Sequence, residues 1–157
     1  GLQRWPVLLW LSLVLNGALA LALPVIATTP SIAIGDRPIL LRYLGRAEFS
    51  QQIIHLAREN RTANIMAASR EVLADLFYTG RNSGLAFYAP RPNGRALNHY
   101  EQTYPLPSDL TGQLLIVAEQ APACTLKTLP LKTDRTAYRN FAYAAFVVDA
   151  ECFNAAQ

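Results

Sequence analysis

The pattern of apolar and polar positions divides the chain in two. From Trp5 to Ala27 the run WPVLLWLSLVLNGALALALPVIA is apolar on every face, and no charge falls between Arg4 and Asp36. At about 1.5 Å per residue a helix of this stretch reaches roughly 35 Å, enough to cross a bilayer core of about 30 Å. The pattern predicts a membrane-spanning helix over residues 1–28. Pro6 suits its first turn, where a missing N–H is harmless, and Trp5 suits the headgroup level. Asn16 is the one strongly polar side chain inside the run. Two other readings stay open. A cleaved signal would use the small-residue patterns Ala18-Leu19-Ala20 or Ala20-Leu21-Ala22, and a large soluble core could bury such a helix.

Beyond the linker, residues 29–45 with Pro30, Gly35, Pro38 and Gly45, the periodicities alternate. Over RAEFSQQIIHLARENR, apolar Phe49, Ile53, Ile54, Leu56 and Ala57 recur at helical spacing, with His55 among them. Ala63–Ser69 reads as a short buried strand, and Ser69 is placed to cap the helix REVLADLFYTGR. Val72, Leu73, Leu76 and Phe77 form that helix's inner stripe, with Gly80 as its stop. Gly84–Pro90 is the next strand. Gly112–Gln120 is continuous and apolar, as in a strand covered on both faces. Ala137–Phe153 is rich in β-favouring side chains and reads as one longer strand or a hairpin.

This order predicts that residues 46–157 form a small three-layer α/β domain with a mostly parallel sheet of about four strands. That length suffices for one core. The span anchors the domain without adding to its core.

Composition sharpens the picture. The chain has 157 residues, begins with Gly rather than Met, and is 52% hydrophobic; it reads as a segment of a longer product. Charged residues are 16%, below the roughly 25% of ordinary soluble domains. Fourteen Lys and Arg against 11 Asp and Glu leave +3, with no clustered basic face interleaved with aromatics, so nucleic acid is not an expected partner. Arg4, the one charge flanking the run on its N-terminal side, gives a vote for a cytoplasmic N-side and an extracytoplasmic domain. Arg37, Arg42 and Arg46 stand where a membrane surface would begin, either solvated or against lipid phosphates. Cys124 and Cys152, an even pair, are candidates for a disulfide in an exported domain, with two free core thiols as the alternative.

Candidate chemistry is sparse. His55, His99, Cys124 and Cys152 lack the short spacings of metal ligands, so no metal site is expected. The glycines of YTGRNSG follow a helix rather than opening one, unlike a phosphate loop, and no G-x-S-x-G elbow occurs. The sequon-like Asn60-Arg61-Thr62 matters only in a eukaryotic secretory protein. What remains is NGRALNHYEQTYPLP, residues 93–107. Arg95, Asn98, His99, Tyr100 and Glu101 there are candidates for contact with a ligand or a neighbouring domain. Glu101 could orient His99 as a general base, but no nucleophile is marked by a motif. A structural loop, with Tyr100 and Tyr104 packed on a sheet edge, is the plainer reading.

The order of features resembles the C-terminal end of bacterial family 39 membrane glycosyltransferases, of the dolichyl-phosphate-mannose-protein mannosyltransferase type. The resemblance rests on a final span, a linker, the REVLADLFYTGR helix, Asn98-His99-Tyr100-Glu101 followed by Thr103 and Pro105-Leu106, and a LLIV strand. It implies a parent enzyme of many spans in the bacterial inner membrane, moving a sugar from a polyprenyl-phosphate donor to an acceptor at the outer face. The family's general base lies far upstream of any residue present, so the resemblance carries over no catalytic residue. It implies a non-catalytic extracytoplasmic domain whose partners are membrane lipid, the upstream transmembrane core and a lipid-linked sugar or acceptor. It calls for no cofactor in this fragment and leaves open whether the parent enzyme uses a divalent metal. Two further readings stand beside it: a single-pass anchored binding module without catalysis, and a secreted hydrolase with His99 as base.

Overall fold

The structure, a computed structural model, describes residues 5–28, 33–34, 37–38, 43–134 and 136–156. The chain divides into two units between Leu44 and Gly45. The first holds helix α1, Trp5–Thr28, with Pro24 near its end. The segment Trp5–Val25 is long and apolar enough to cross a membrane, and none of it is buried. The short strands β1 (Ala33–Ile34) and β2 (Arg37–Pro38) pair antiparallel. Arg4, Arg42 and the Arg37 side chain, raised above as flanking charges, lie outside the described residues.

The second unit is a small α/β domain, as its alternating periodicities predict. Its elements are α2 (Arg46–Glu59), β3 (Asn64–Ala67), α3 (Arg70–Thr79), β4 (Ala86–Tyr88), α4 (His99–Thr103), β5 (Gln113–Ala118), β6 (Thr125–Pro130), β7 (Ala144–Asp149) and α5 (Ala150–Ala155). The sheet has five strands in the order β4-β3-β5-β7-β6. Strands β4, β3 and β5 are parallel, and β7 and β6 continue the sheet antiparallel. In the parallel half, α3 carries the chain from the end of β3 back to the start of β4, as a parallel connection requires.

Burial explains the layers. One face carries Ile65, Ala67, Phe87, Leu115, Val117 and Val147, packed against Phe49, Ile53 and Ala57 of α2 and Val72, Leu73 and Leu76 of α3. The other carries Met66, Leu114, Ile116, Phe146 and Val148 under Leu106 and Phe153. Strand β5 supplies both faces, hence its unbroken apolar run.

The structure departs from the sequence reading at several points. The tail is not a strand or hairpin throughout: β7 stops at Asp149, whose side chain accepts from the Cys152 N–H at 2.8 Å and starts α5. Strand β6 has no counterpart in the sequence reading, because only Leu129 on it is buried. His55 sits on the exposed side of α2, beside Glu59 one turn on, rather than among the apolar positions. Ser69 occupies the α3 N-cap position without a side-chain cap bond. Gly80 does end α3, but with an ordinary φ of −92°. Its small size matters more, since a Cβ there would overlap the Phe87 ring and approach the Leu76 carbonyl oxygen to 2.8 Å.

Candidate functional site

The stretch 93–107 spends most of its polar groups on itself. Asn98 is extended and precedes α4; its Oδ1 accepts from the N–H groups of Tyr100 at 2.9 Å and Glu101 at 3.1 Å. Glu101 answers with both carboxylate oxygens, accepting from the Leu97 N–H at 2.7 Å and from Asn98 Nδ2 at 2.6 Å. This reciprocal arrangement is a variant of the capping box, in which side chains three apart satisfy the free N–H groups of a helix start. The carboxylate is therefore not available to His99. Positions two apart on a helix point away from each other, and the His99–Glu101 dyad does not form. His99 is exposed, with Nδ1 3.2 Å from Thr103 Oγ1.

The aromatics fasten the segment to the domain. Tyr100 stacks on Phe77 of α3 with ring centroids 5.5 Å apart, and Tyr104 approaches the same ring to 4.6 Å. Phe77 in turn meets Phe87 of β4. The Ala89 N–H donates to the Tyr104 carbonyl and the Leu106 N–H to the Ala89 carbonyl, at 2.8 and 2.9 Å, so the segment lies alongside the end of β4 and shields that sheet edge. Arg91 bonds the Leu106 carbonyl and Asn154, holding the exit of the stretch against α5. Of the five residues singled out in the sequence, Asn98, Tyr100 and Glu101 are structurally occupied. Arg95 and His99 are exposed.

A second polar cluster escaped sequence reasoning because its members are far apart along the chain. Arg46, at the start of α2, donates to Asp75 of α3 at 2.9 and 3.2 Å and stands 3.7 Å from Glu71. Tyr138 donates its hydroxyl to the same Asp75 carboxylate, and its ring lies under the Arg46 guanidinium, 5.6 Å from centroid to Cζ. Burial, then the bond to Asp75, pushes the Tyr138 phenol far above its ordinary range, and burial raises Tyr143 as well. Tyr138 therefore stays a protonated donor. Beside the cluster lies an open cleft of about 410 Å³ over Phe49, lined by Glu48, Gln52, Lys132, Asp134 and Thr136. Among the described residues lining it, none is a buried polar group without a partner.

Cys124 and Cys152 form a disulfide that ties the start of β6 to α5, with Cα atoms 6.0 Å apart. Among the described residues no group of three His, Cys, Asp or Glu side chains is placed to hold a metal ion.

No family model matches the chain, and no solved structure matches it significantly. Among curated proteins it is similar to the lipid A galacturonosyltransferase RgtD of Rhizobium johnstonii, with 38% identity over 128 residues. The match takes in 80% of this chain and 27% of that protein, so the chain spans about a quarter of its relative's length. The matched stretch is longer than the unit from Gly45 to Gln157. Part of what precedes Gly45 is therefore included in the likeness.

Proposed function

We propose that this chain is the C-terminal part of an integral membrane glycosyltransferase that moves a sugar from a polyprenyl-phosphate donor to an acceptor at the outer membrane face. The α/β domain is its non-catalytic extracytoplasmic part. The carrying observation is the likeness to a lipid A galacturonosyltransferase, whose matched length takes in most of the domain and part of the segment before it. The relative's name favours a galacturonosyl group over mannose, and lipid A over a protein acceptor, within the broader resemblance to family 39 enzymes.

Three features of the chain support this reading. Helix α1 is long and apolar enough to anchor the domain. The Cys124–Cys152 disulfide suits an oxidising compartment and thus an extracytoplasmic domain above a bacterial inner membrane. The stretch 93–107 uses its acid for helix capping and its tyrosines for packing, which supports a structural rather than a catalytic role for it.

The test uses membranes holding the full-length polypeptide, supplied in turn with polyprenyl-phosphate-linked galacturonate and mannose and with lipid A as acceptor. The expected product is lipid A heavier by one hexuronosyl group. Failure of any polyprenyl-phosphate sugar to reach lipid A or a protein acceptor, with the polypeptide folded, would overturn the reading in favour of an anchored binding module.

A further inference from the structure

The two faces of α1 differ in one respect that bears on what covers it. One face carries Leu9, Ser12, Asn16, Leu19, Ala20 and Leu23; the opposite face carries Val7, Val14, Ala18 and Leu21, with no polar group. Asn16 sits halfway along the helix, near the depth of a bilayer midplane. Its Nδ2 donates to the Ser12 carbonyl at 2.8 Å and to Ser12 Oγ at 3.3 Å. Among the described residues its Oδ1 accepts nothing, and the carboxamide lies exposed on the helix surface.

Hydrocarbon offers no donor to such an oxygen, and an unsatisfied polar group in lipid is expensive. Polar side chains in spans meet partners on neighbouring helices, and small residues let those helices approach. Ser12 and Ala20, one turn to either side of Asn16, leave that room.

We infer that the Ser12–Asn16 face of α1 packs against another membrane-spanning helix of the same polypeptide, one that brings a side-chain hydrogen-bond donor to the depth of Asn16. The opposite face, centred on Val14, meets lipid. This inference rests on the proposed function, which supplies the other spans.

Single cysteines placed along α1 test it in the full-length polypeptide in native membranes. Cys124 and Cys152 are bonded to each other, so they do not compete for a thiol reagent. A maleimide that partitions into the bilayer should label Leu9→Cys, Ser12→Cys, Asn16→Cys and Ala20→Cys about five-fold or more slowly than Val7→Cys, Val14→Cys, Ala18→Cys and Leu21→Cys, as a packed helix face requires. Ser12→Cys is close to isosteric, so its protection is readable even if Asn16→Cys lowers the yield of folded protein. Asn16→Val should lower the melting temperature of the detergent-solubilised polypeptide, with Asn16→Gln restoring most of the loss. Equal labelling around the helix would overturn the inference. Spontaneous Asn16→Cys disulfides between copies would overturn it in favour of a second copy as the partner. Labelling is read without any transfer assay, so it stands or falls separately from the glycosyltransferase reading.

Discussion

The stretch 93–107 and the Arg46–Asp75–Tyr138 cluster are opposites in how they announce themselves. The first packs Arg, Asn, His, Tyr and Glu into a few consecutive positions and looks like chemistry. In the fold, the Asn98–Glu101 pair closes the start of a five-residue helix, and the tyrosines clamp it to Phe77. The second is spread across α2, α3 and the segment before β7, and no short motif marks it. Yet it joins three separate parts of the domain through one carboxylate. Dense local polarity here serves local backbone, whereas the tertiary bonds come from single residues brought together by the sheet.

Breaking the carboxylate should give one of the two largest effects. Asp75→Ala removes the acceptor shared by the part-buried Arg46 guanidinium, which still faces Glu71, and the buried Tyr138 phenol, and should cost about 2–4 kcal/mol, the worth of one charged and one neutral hydrogen bond. Thermal denaturation reads this as a drop of ten degrees or more, at the several degrees per kcal/mol expected for a domain of this size. If the melting temperature barely moves, the cluster is not what holds α2 to α3.

Losing the disulfide should have an effect of the same order. It closes a loop of 28 residues, so reduction, or the Cys124→Ala/Cys152→Ala pair, should remove about 3–4 kcal/mol in the chain-entropy model. Denaturant titration with and without reductant measures it.

The third change separates the cluster from the rest by pH. Because the folded-state pKa of Tyr138 is raised, folding favours its neutral form. That contribution is fully present below the unfolded value of about 10 and is lost as pH rises above it. Stability of the wild type should therefore fall on the alkaline side of pH 10 more steeply than that of Tyr138→Phe. At neutral pH Tyr138→Phe should lose about 1 kcal/mol, the worth of one hydrogen bond.

In the stretch 93–107 the effects should be smaller and graded. Asn98→Ala should cost about 1 kcal/mol, typical of a lost helix cap, and Tyr100→Ala a similar amount through its stacking on Phe77. His99→Ala should stay within about 0.5 kcal/mol, as exposed substitutions do. Were His99→Ala the most destabilising of the three, the capping account of α4 would be wrong.

The same contrast explains which parts of the fold were legible. Helices α2 and α3 and strands β3, β4 and β5 announce themselves because each buries a periodic stripe or a whole apolar run. Strand β6 does not, because an edge strand with exposed Leu126, Lys127 and Thr128 and a terminal Pro130 has almost no apolar period to read. Helix α5 is hidden by the valines and aromatics running into it, and only the Asp149 cap marks the switch. The Asn98-x-x-Glu101 box was in plain view, but its spacing fits a cap and a contact site equally well until the N–H groups are placed. Asp75 gave no signal at all, since its partners lie 29 positions before it and 63 after it.

On the proposed function, this domain is architecture for an enzyme whose chemistry lies outside the chain. Arg95 and His99 are the two of the five candidate contact residues that the fold leaves exposed. The most direct measurement is sugar transfer to lipid A by membranes holding the full-length polypeptide with Arg95→Ala/His99→Ala, at matched amounts of folded protein. The account predicts turnover close to wild type and an unchanged melting temperature. Loss of nearly all turnover with the fold intact would contradict it and place this stretch at the reacting substrates.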